Sequence, residues 1–292
     1  MLIVYKMKEK LKIVFQLSKI RITFAVMLTT IVGYVLANSG YSSQMIMPVL
    51  GLFILACGSA MINQVQEHKK DAMMERTAHR PIPSGRISPT NALILAISFV
   101  TIGSGLIWLG SNYQAMLLGI TALLWYNAFY TPLKKITPFA VIPGSVIGAL
   151  PPMVGWVAAG GSLLDMRALM LALFFFIWQV PHFWLLMIKY GPQYEKAGFP
   201  SLTRYYSVRH IRLVTFLWTL STALTALMLP AFGVVNSLAT AAGIVLVSTW
   251  LIFSFIKILK FDKVMFKPMQ YFMKINVFVL LMIILLSVDS FL

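Results

Sequence analysis

Acidic residues are scarce in this chain, eight Asp and Glu among 292 residues, and three of them, Glu67, Asp71 and Glu75, crowd into one short stretch. The run from Met61 to Asp71 reads Met-Ile-Asn-Gln-Val-Gln-Glu-His-Lys-Lys-Asp, which sets Asn63, Glu67 and Asp71 at successive intervals of four. On an α-helix each such step turns the side chain by only about 40° and climbs about 6 Å, so the three share one stripe. An amide oxygen and two carboxylates in line form a hard, oxygen-only surface of the kind Mg²⁺ prefers, and Mg²⁺ completes its shell with water and phosphate oxygens. A solvated helix end with Glu67 and Asp71 paired to Lys70 would need no such chemistry. What favours a site is Asn63, which falls at the edge of an apolar segment, where an uncompensated polar group is costly.

The stripe runs directly into Arg76-Thr77-Ala78-His79-Arg80-Pro81-Ile82-Pro83-Ser84-Gly85-Arg86, a basic loop punctuated by prolines. Cations beside a divalent metal suit a polyphosphate and neutralise it as a leaving group. Pro81 and Pro83 stop the helix, so the loop is free to fold back over the stripe. His182 is the one histidine placed inside an apolar segment, in a Pro-His-Phe-Trp context. It suits a metal ligand, or a core histidine bonded to a carbonyl that Pro181 leaves without an amide partner.

The elements that must carry these groups are membrane helices. Hydrophobic residues make up 59% of the chain and charged ones 11%, a balance no water-soluble core of this length could hide. The apolar residues come in blocks of about 17 to 24, near the length a helix needs to cross the hydrocarbon. The pattern predicts a single all-α, polytopic domain over 1–292, with nine transmembrane helices near 20–38, 45–65, 91–109, 115–131, 139–159, 168–188, 213–232, 238–258 and 275–290. Leu11 to Ile20, with Lys10, Lys12, Lys19 and Arg21 around it, reads as a helix lying at the interface. The first apolar segment is long enough to span, so no cleavable leader is expected.

The net charge of +16 invites a nucleic-acid reading, yet every basic residue but Arg167 falls on one side of this topology. That is the pattern of cytoplasmic retention during insertion, so no nucleic-acid partner is expected and membrane lipid is. The N-terminus is placed in the cytoplasm of a cell-membrane protein and the C-terminus outside. The single cysteine, Cys57, lies within the second span and excludes an internal disulfide or a CxxC pair.

Asn63 to Asp71, followed by Met74-Glu75-Arg76-Thr77, Arg80-Pro81 and Pro83-Ser84-Gly85-Arg86, closely resembles the first aspartate-rich motif of the UbiA-type intramembrane prenyltransferases. Further matches are Tyr126-Asn127-Ala128-Phe129-Tyr130-Thr131-Pro132-Leu133-Lys134, Gly148-Ala149-Leu150-Pro151-Pro152, and Trp178-Gln179-Val180-Pro181-His182-Phe183-Trp184. The last two runs resemble the branch that farnesylates heme. The resemblance implies a helical bundle around a central cavity, with Asn63, Glu67 and Asp71 as catalytic residues that hold Mg²⁺ against farnesyl diphosphate. Lys70, Arg76, Arg80 and Lys189 are then candidate diphosphate contacts, and His182 and His79 candidate contacts of heme B, which is a substrate. A heme A synthase is a candidate downstream partner.

The family's second acidic motif should follow the sixth span. Here that stretch reads Lys189-Tyr190-Gly191-Pro192-Gln193-Tyr194-Glu195, with Pro192 and Gln193 where adjacent aspartates are usual. Glu195 is the acid left, and it is taken as a further metal ligand. Two rival readings stay open: an aromatic or quinone-precursor acceptor in place of heme, and a transporter hinged at Pro143, Pro151, Pro152 and Pro181.

Overall fold

The computed structural model describes residues 2–259 and 266–291, with side chains from residue 8 onward. Every regular element among them is helical. The long helices are α1 (Leu2–Leu17), α2 (Ile20–Asn38), α3 (Ile46–Asp71), α4 (Pro89–Gly110), α5 (Tyr113–Leu124), α6 (Val146–Ala158), α7 (Met166–Lys196), α8 (Val208–Ala231), α9 (Leu238–Ile256) and α10 (Pro268–Val288). Among the described residues, eight helical stretches are long and apolar enough to cross a membrane. The expected fourth span is interrupted. It begins as α5, widens into a π-helical turn at Trp125–Tyr130 and ends at Thr131–Leu133, so no single regular helix covers it.

Local sequence explains where the helices start. Ser88, Asn112, Asp165, Ser207 and Ser237 each accept a hydrogen bond from a backbone N–H in the first turn that follows, which satisfies donors a helix start leaves free. The α1–α2 junction is different. Lys19 caps α2 in a left-handed conformation, φ 49° and ψ 49°, which costs a non-glycine residue roughly 1–2 kcal/mol.

Two expected boundaries are corrected. α3 runs on to Asp71 rather than ending near 65, so the whole acid stripe is helical. α7 continues past 188 to Lys196, through Pro181 and Pro192, so the depleted second motif is the last turns of a helix and not a loop. A proline there removes one backbone donor, and tertiary packing carries the helix across it. The chain then turns at Gly198, φ 71°. Of the expected loop 259–274, residues 260–265 lie outside the described residues, as does Leu292.

The helices pack closely where side chains are small. At Gly33 of α2 and Gly155 of α6 a Cβ would run into the carbonyl oxygens of Pro152 and Thr30. Backbones in contact gain van der Waals attraction that lipid-separated helices lack. This gives the Pro151-Pro152 run a packing role, and α6 passes through both prolines without a break. A second cluster, built on Phe174, Phe175, Phe255 and Phe278, joins α7, α9 and α10. Outward positions are apolar too: Leu109 is 75% exposed, Leu246 70% and Phe253 67%. Such a surface fits lipid and not water, and the chain is an integral membrane protein.

Candidate active site

Asn63, Glu67 and Asp71 are all buried, at 0%, 5% and 2% exposure, although each is polar. Burial at that level demands partners, and each residue has a cation from a different element. Lys19 Nζ donates to Asn63 Oδ1 at 2.7 Å. Lys134 Nζ lies 2.6 Å from Glu67 Oε1 and 2.7 Å from Oε2, straddling the carboxylate. Arg80 Nη1 lies 2.7 Å from Asp71 Oδ2, which brings the proline-punctuated loop back onto the stripe. Asn63 Nδ2 in turn donates to Glu67 Oε2 at 3.2 Å and Thr131 Oγ1 at 3.0 Å, linking stripe and π segment.

The Lys19 amine also reaches Tyr126 Oη at 3.4 Å. Burial, then the neighbouring charges of Arg80 and Lys134, pull it down to about 7, with Glu67 and Asp71 acting the other way. Lys19 itself holds the left-handed conformation, and strain of this kind gathers at functional sites.

The π turn at Trp125–Tyr130 is held from several sides. Asn127 Nδ2 donates to Ser59 Oγ at 2.6 Å, Gln66 Nε2 to the Asn127 carbonyl at 3.1 Å, and Thr131 Oγ1 to the Tyr126 carbonyl at 2.9 Å. Tyr126 and Tyr130 stack with centroids 5.9 Å apart, Tyr130 meets Phe183 at 6.1 Å, and Phe183 meets His182 edge-on at 5.5 Å. A continuous aromatic wall thus leads from the acid stripe to His182. Ring faces of this kind stabilise a neighbouring positive charge.

The first and second motifs touch, but not through an acid. The Arg76 amide donates to Gln193 Oε1 at 3.4 Å, its guanidinium reaches Tyr194 Oη at 3.4 Å, and it lies over the Tyr190 ring at 4.9 Å. Lys70 Nζ donates to the Gly198 carbonyl at 2.9 Å and lies 4.1 Å from the Phe199 ring centroid. Glu195 is exposed and accepts from Thr203 Oγ1 at 3.1 Å. Lys189 and His79 are exposed as well, and His68 bonds back to the Val65 carbonyl at 2.7 Å. His182 finds a side chain as its partner, Asn276 at 2.9 Å, and not a carbonyl freed by Pro181. Among the described residues no three His, Cys, Asp or Glu gather as a metal cluster. The oxygen set that fits Mg²⁺ is the amide and two carboxylates of the stripe, a set Mg²⁺ can share with waters and phosphate.

Sequence reasoning missed Lys19 and Lys134 as members of the site. Lys19 looked like one more basic residue of the inside flank. Lys134 stood at the end of the Tyr126–Lys134 run, and only that motif could have drawn attention to it.

A bundle of membrane-length helices, eight of them among the described residues, with an amide–carboxylate stripe under a basic loop is the architecture of an intramembrane prenyl-transferring enzyme. The chain belongs to the UbiA prenyltransferase family, whose sequence profile matches residues 26–278. Its relatives narrow this. It is 41% identical over 211 residues to a protoheme IX farnesyltransferase of Geobacter sulfurreducens, covering 70% of this chain and 76% of the relative. It is 34% identical over 274 residues to one of Oleidesulfovibrio alaskensis, covering 94% of each. In fold it is similar to the solved digeranylgeranylglyceryl phosphate synthase, with TM-score 0.77, 16% identity, and 97% of this chain and 99% of that one covered. It is also similar to a UbiA homolog from Archaeoglobus fulgidus bound to GPP and Mg²⁺, with TM-score 0.65, 14% identity, and coverage of 96% and 100%.

Proposed function

We propose that this chain transfers the farnesyl group of farnesyl diphosphate to a vinyl group of heme B, giving heme O and diphosphate. The observation that carries the reading is the pairing of Asn63, Glu67 and Asp71 with Lys19, Lys134 and Arg80. Each of the three oxygen-bearing side chains is paired with a different basic side chain, and a metal–diphosphate complex has to be met by charges of both signs.

In this reading Asn63, Glu67 and Asp71 hold Mg²⁺, which when bound supplies Lewis-acid neutralisation of the diphosphate oxygens. Lys19, Lys134 and Arg80 turn from the stripe to the diphosphate, and Lys70, Arg76 and Lys189 stand at the rim to receive it. The C–O bond between the allylic carbon and the diphosphate breaks, and its electron pair leaves with the diphosphate. Tyr126 and Tyr130 face the allylic carbon as positive charge develops on it. The vinyl π electrons form the new C–C bond, and water adds to the adjacent carbon with loss of a proton, leaving the hydroxyethylfarnesyl group. His182 meets the heme, and His79 stands at the rim as a propionate contact. Glu195 is left out of the metal site because its carboxylate is turned to Thr203.

The reading is tested by incubating membranes that contain the protein with farnesyl diphosphate and Mg²⁺, together with heme B or 4-hydroxybenzoate, and measuring product mass. A farnesylated, hydrated heme is expected. A prenylated benzoate would move the acceptor to the quinone class, and no transfer to either would favour the transporter reading.

A further inference from the structure

His182 on α7 and Asn276 on α10 face each other, with His182 Nδ1 2.9 Å from Asn276 Oδ1. The direction of the amide is fixed from its other end. Asn276 Nδ2 donates to the Phe272 carbonyl, one turn earlier on α10, at 2.8 Å. Turning the amide over would set Oδ1 against that carbonyl, two acceptors with no hydrogen between them. Oδ1 therefore faces the imidazole, and only an N–H can satisfy it. The proton of the neutral ring must sit on Nδ1, which leaves Nε2 with a bare lone pair. Nε2 has no hydrogen-bond partner among the described residues.

The surroundings hold the ring in one attitude. Trp178 and Phe272 pack on it with centroids 4.9 and 4.7 Å away, and Phe183 meets it edge-on. Trp178 Nε1 donates to the carbonyl of Ile275, the neighbour of Asn276, at 3.2 Å, so α7 and α10 are fastened at two consecutive residues. Flat aromatic walls beside an imidazole nitrogen that carries a bare lone pair suit a planar macrocycle with a metal at its centre.

We propose that Asn276 is a positioning residue that locks His182 in the Nδ1–H tautomer and presents Nε2 to the iron of the heme substrate as an axial ligand. The proposal rests on the reading of His182 as a heme contact. A histidine that ligates a metal gives its other N–H to an oxygen, which fixes the ring and makes the ligating nitrogen more basic. Asn276 would thereby set both the attitude of the heme and the strength of its bond to His182, some way along the aromatic wall from the diphosphate site.

The test uses the full chain in detergent, titrated with ferrous heme B without farnesyl diphosphate, and reads affinity together with the iron–histidine stretching band by resonance Raman. In H182A the band disappears. In N276L heme binds about 10- to 100-fold more weakly and the band moves to lower frequency, because the ring loses its acceptor. In N276D an acceptor is kept towards Nδ1 and the band moves up, because a carboxylate draws harder on Nδ1–H; its second oxygen meets the Phe272 carbonyl without a hydrogen, so the band and not the affinity is the readout for this variant. Farnesyl diphosphate binding, which uses the other end of the wall, reports that each variant is folded. A parent-like band in H182A overturns the reading of His182 and the proposal with it. Loss of the band in H182A with a parent-like band in N276D leaves that reading standing and overturns the role of Asn276. Should N276L fail to fold, N276D still decides, since a contact that merely holds two helices together would not move an iron–ligand vibration.

Discussion

Lys19 Nζ lies 2.7 Å from Asn63 Oδ1, joining the left-handed turn between α1 and α2 to the first member of the acid stripe. Lys19→Met is expected to raise the KM for farnesyl diphosphate by roughly 10-fold or more, the worth of a hydrogen bond to a charged group, with heme affinity unchanged. Steady-state kinetics against each substrate check this, and an unaltered KM would remove Lys19 from the site.

Glu67→Gln and Asp71→Asn are expected to lose most activity, on the order of 100-fold or more, while the protein still inserts and folds. Each change removes a charge from the oxygen set and leaves side-chain volume nearly intact. Farnesyl transfer by membranes normalised for protein content measures the effect. Normal turnover in both variants would sink the metal assignment.

Chelating Mg²⁺ should stop turnover and weaken diphosphate binding, yet leave heme binding largely in place. Tyr126, Tyr130 and Phe183 stand between the stripe and His182, so under the proposed function the two substrates would meet different groups. Heme titrations with and without chelator are the check, and equal loss of both ligands would argue for one shared site.

Glu195→Gln should shift the Mg²⁺ requirement by no more than about twofold, as expected of an exposed substitution, since its carboxylate is turned to Thr203. Gln193→Ala, which removes the acceptor of the Arg76 amide, should loosen the basic loop and raise the KM for farnesyl diphosphate more than Glu195→Gln does. A large rise in Mg²⁺ requirement in Glu195→Gln would return that residue to the metal site.

If the N-terminus is inside and the interrupted stretch from α5 to Leu133 crosses as a ninth span, a reporter fused after Leu292 should read external, and reporters within 66–90, 132–138 and 189–212 should read cytoplasmic. The basic residues of those segments are the physical cause. A cytoplasmic reading at Leu292 would mean that the interrupted stretch from α5 to Leu133 does not cross.

Much of the molecule is local in origin, and to that extent legible in the sequence. Blocks of apolar residues specify membrane helices because the bilayer sets their length. The four-residue spacing of Asn63, Glu67 and Asp71 specifies a stripe because helical periodicity is a property of consecutive residues. The helix boundaries were less legible: Pro192 and the polar run after Ile188 argue for a loop, yet packing carries α7 on to Lys196. Of the partners of the stripe, only Arg80, in the loop expected to fold back, was legible. Lys19 meets Asn63 across 44 positions, Lys134 meets Glu67 across 67 and His182 meets Asn276 across 94. No local pattern encodes such pairs, because which helix faces which is decided by how small and large side chains pack, as at Gly33 against Pro152. The sequence by itself determined a membrane helix bundle with an acid stripe, while the tertiary structure alone decided which lysines close on that stripe and which nitrogen of His182 is left bare.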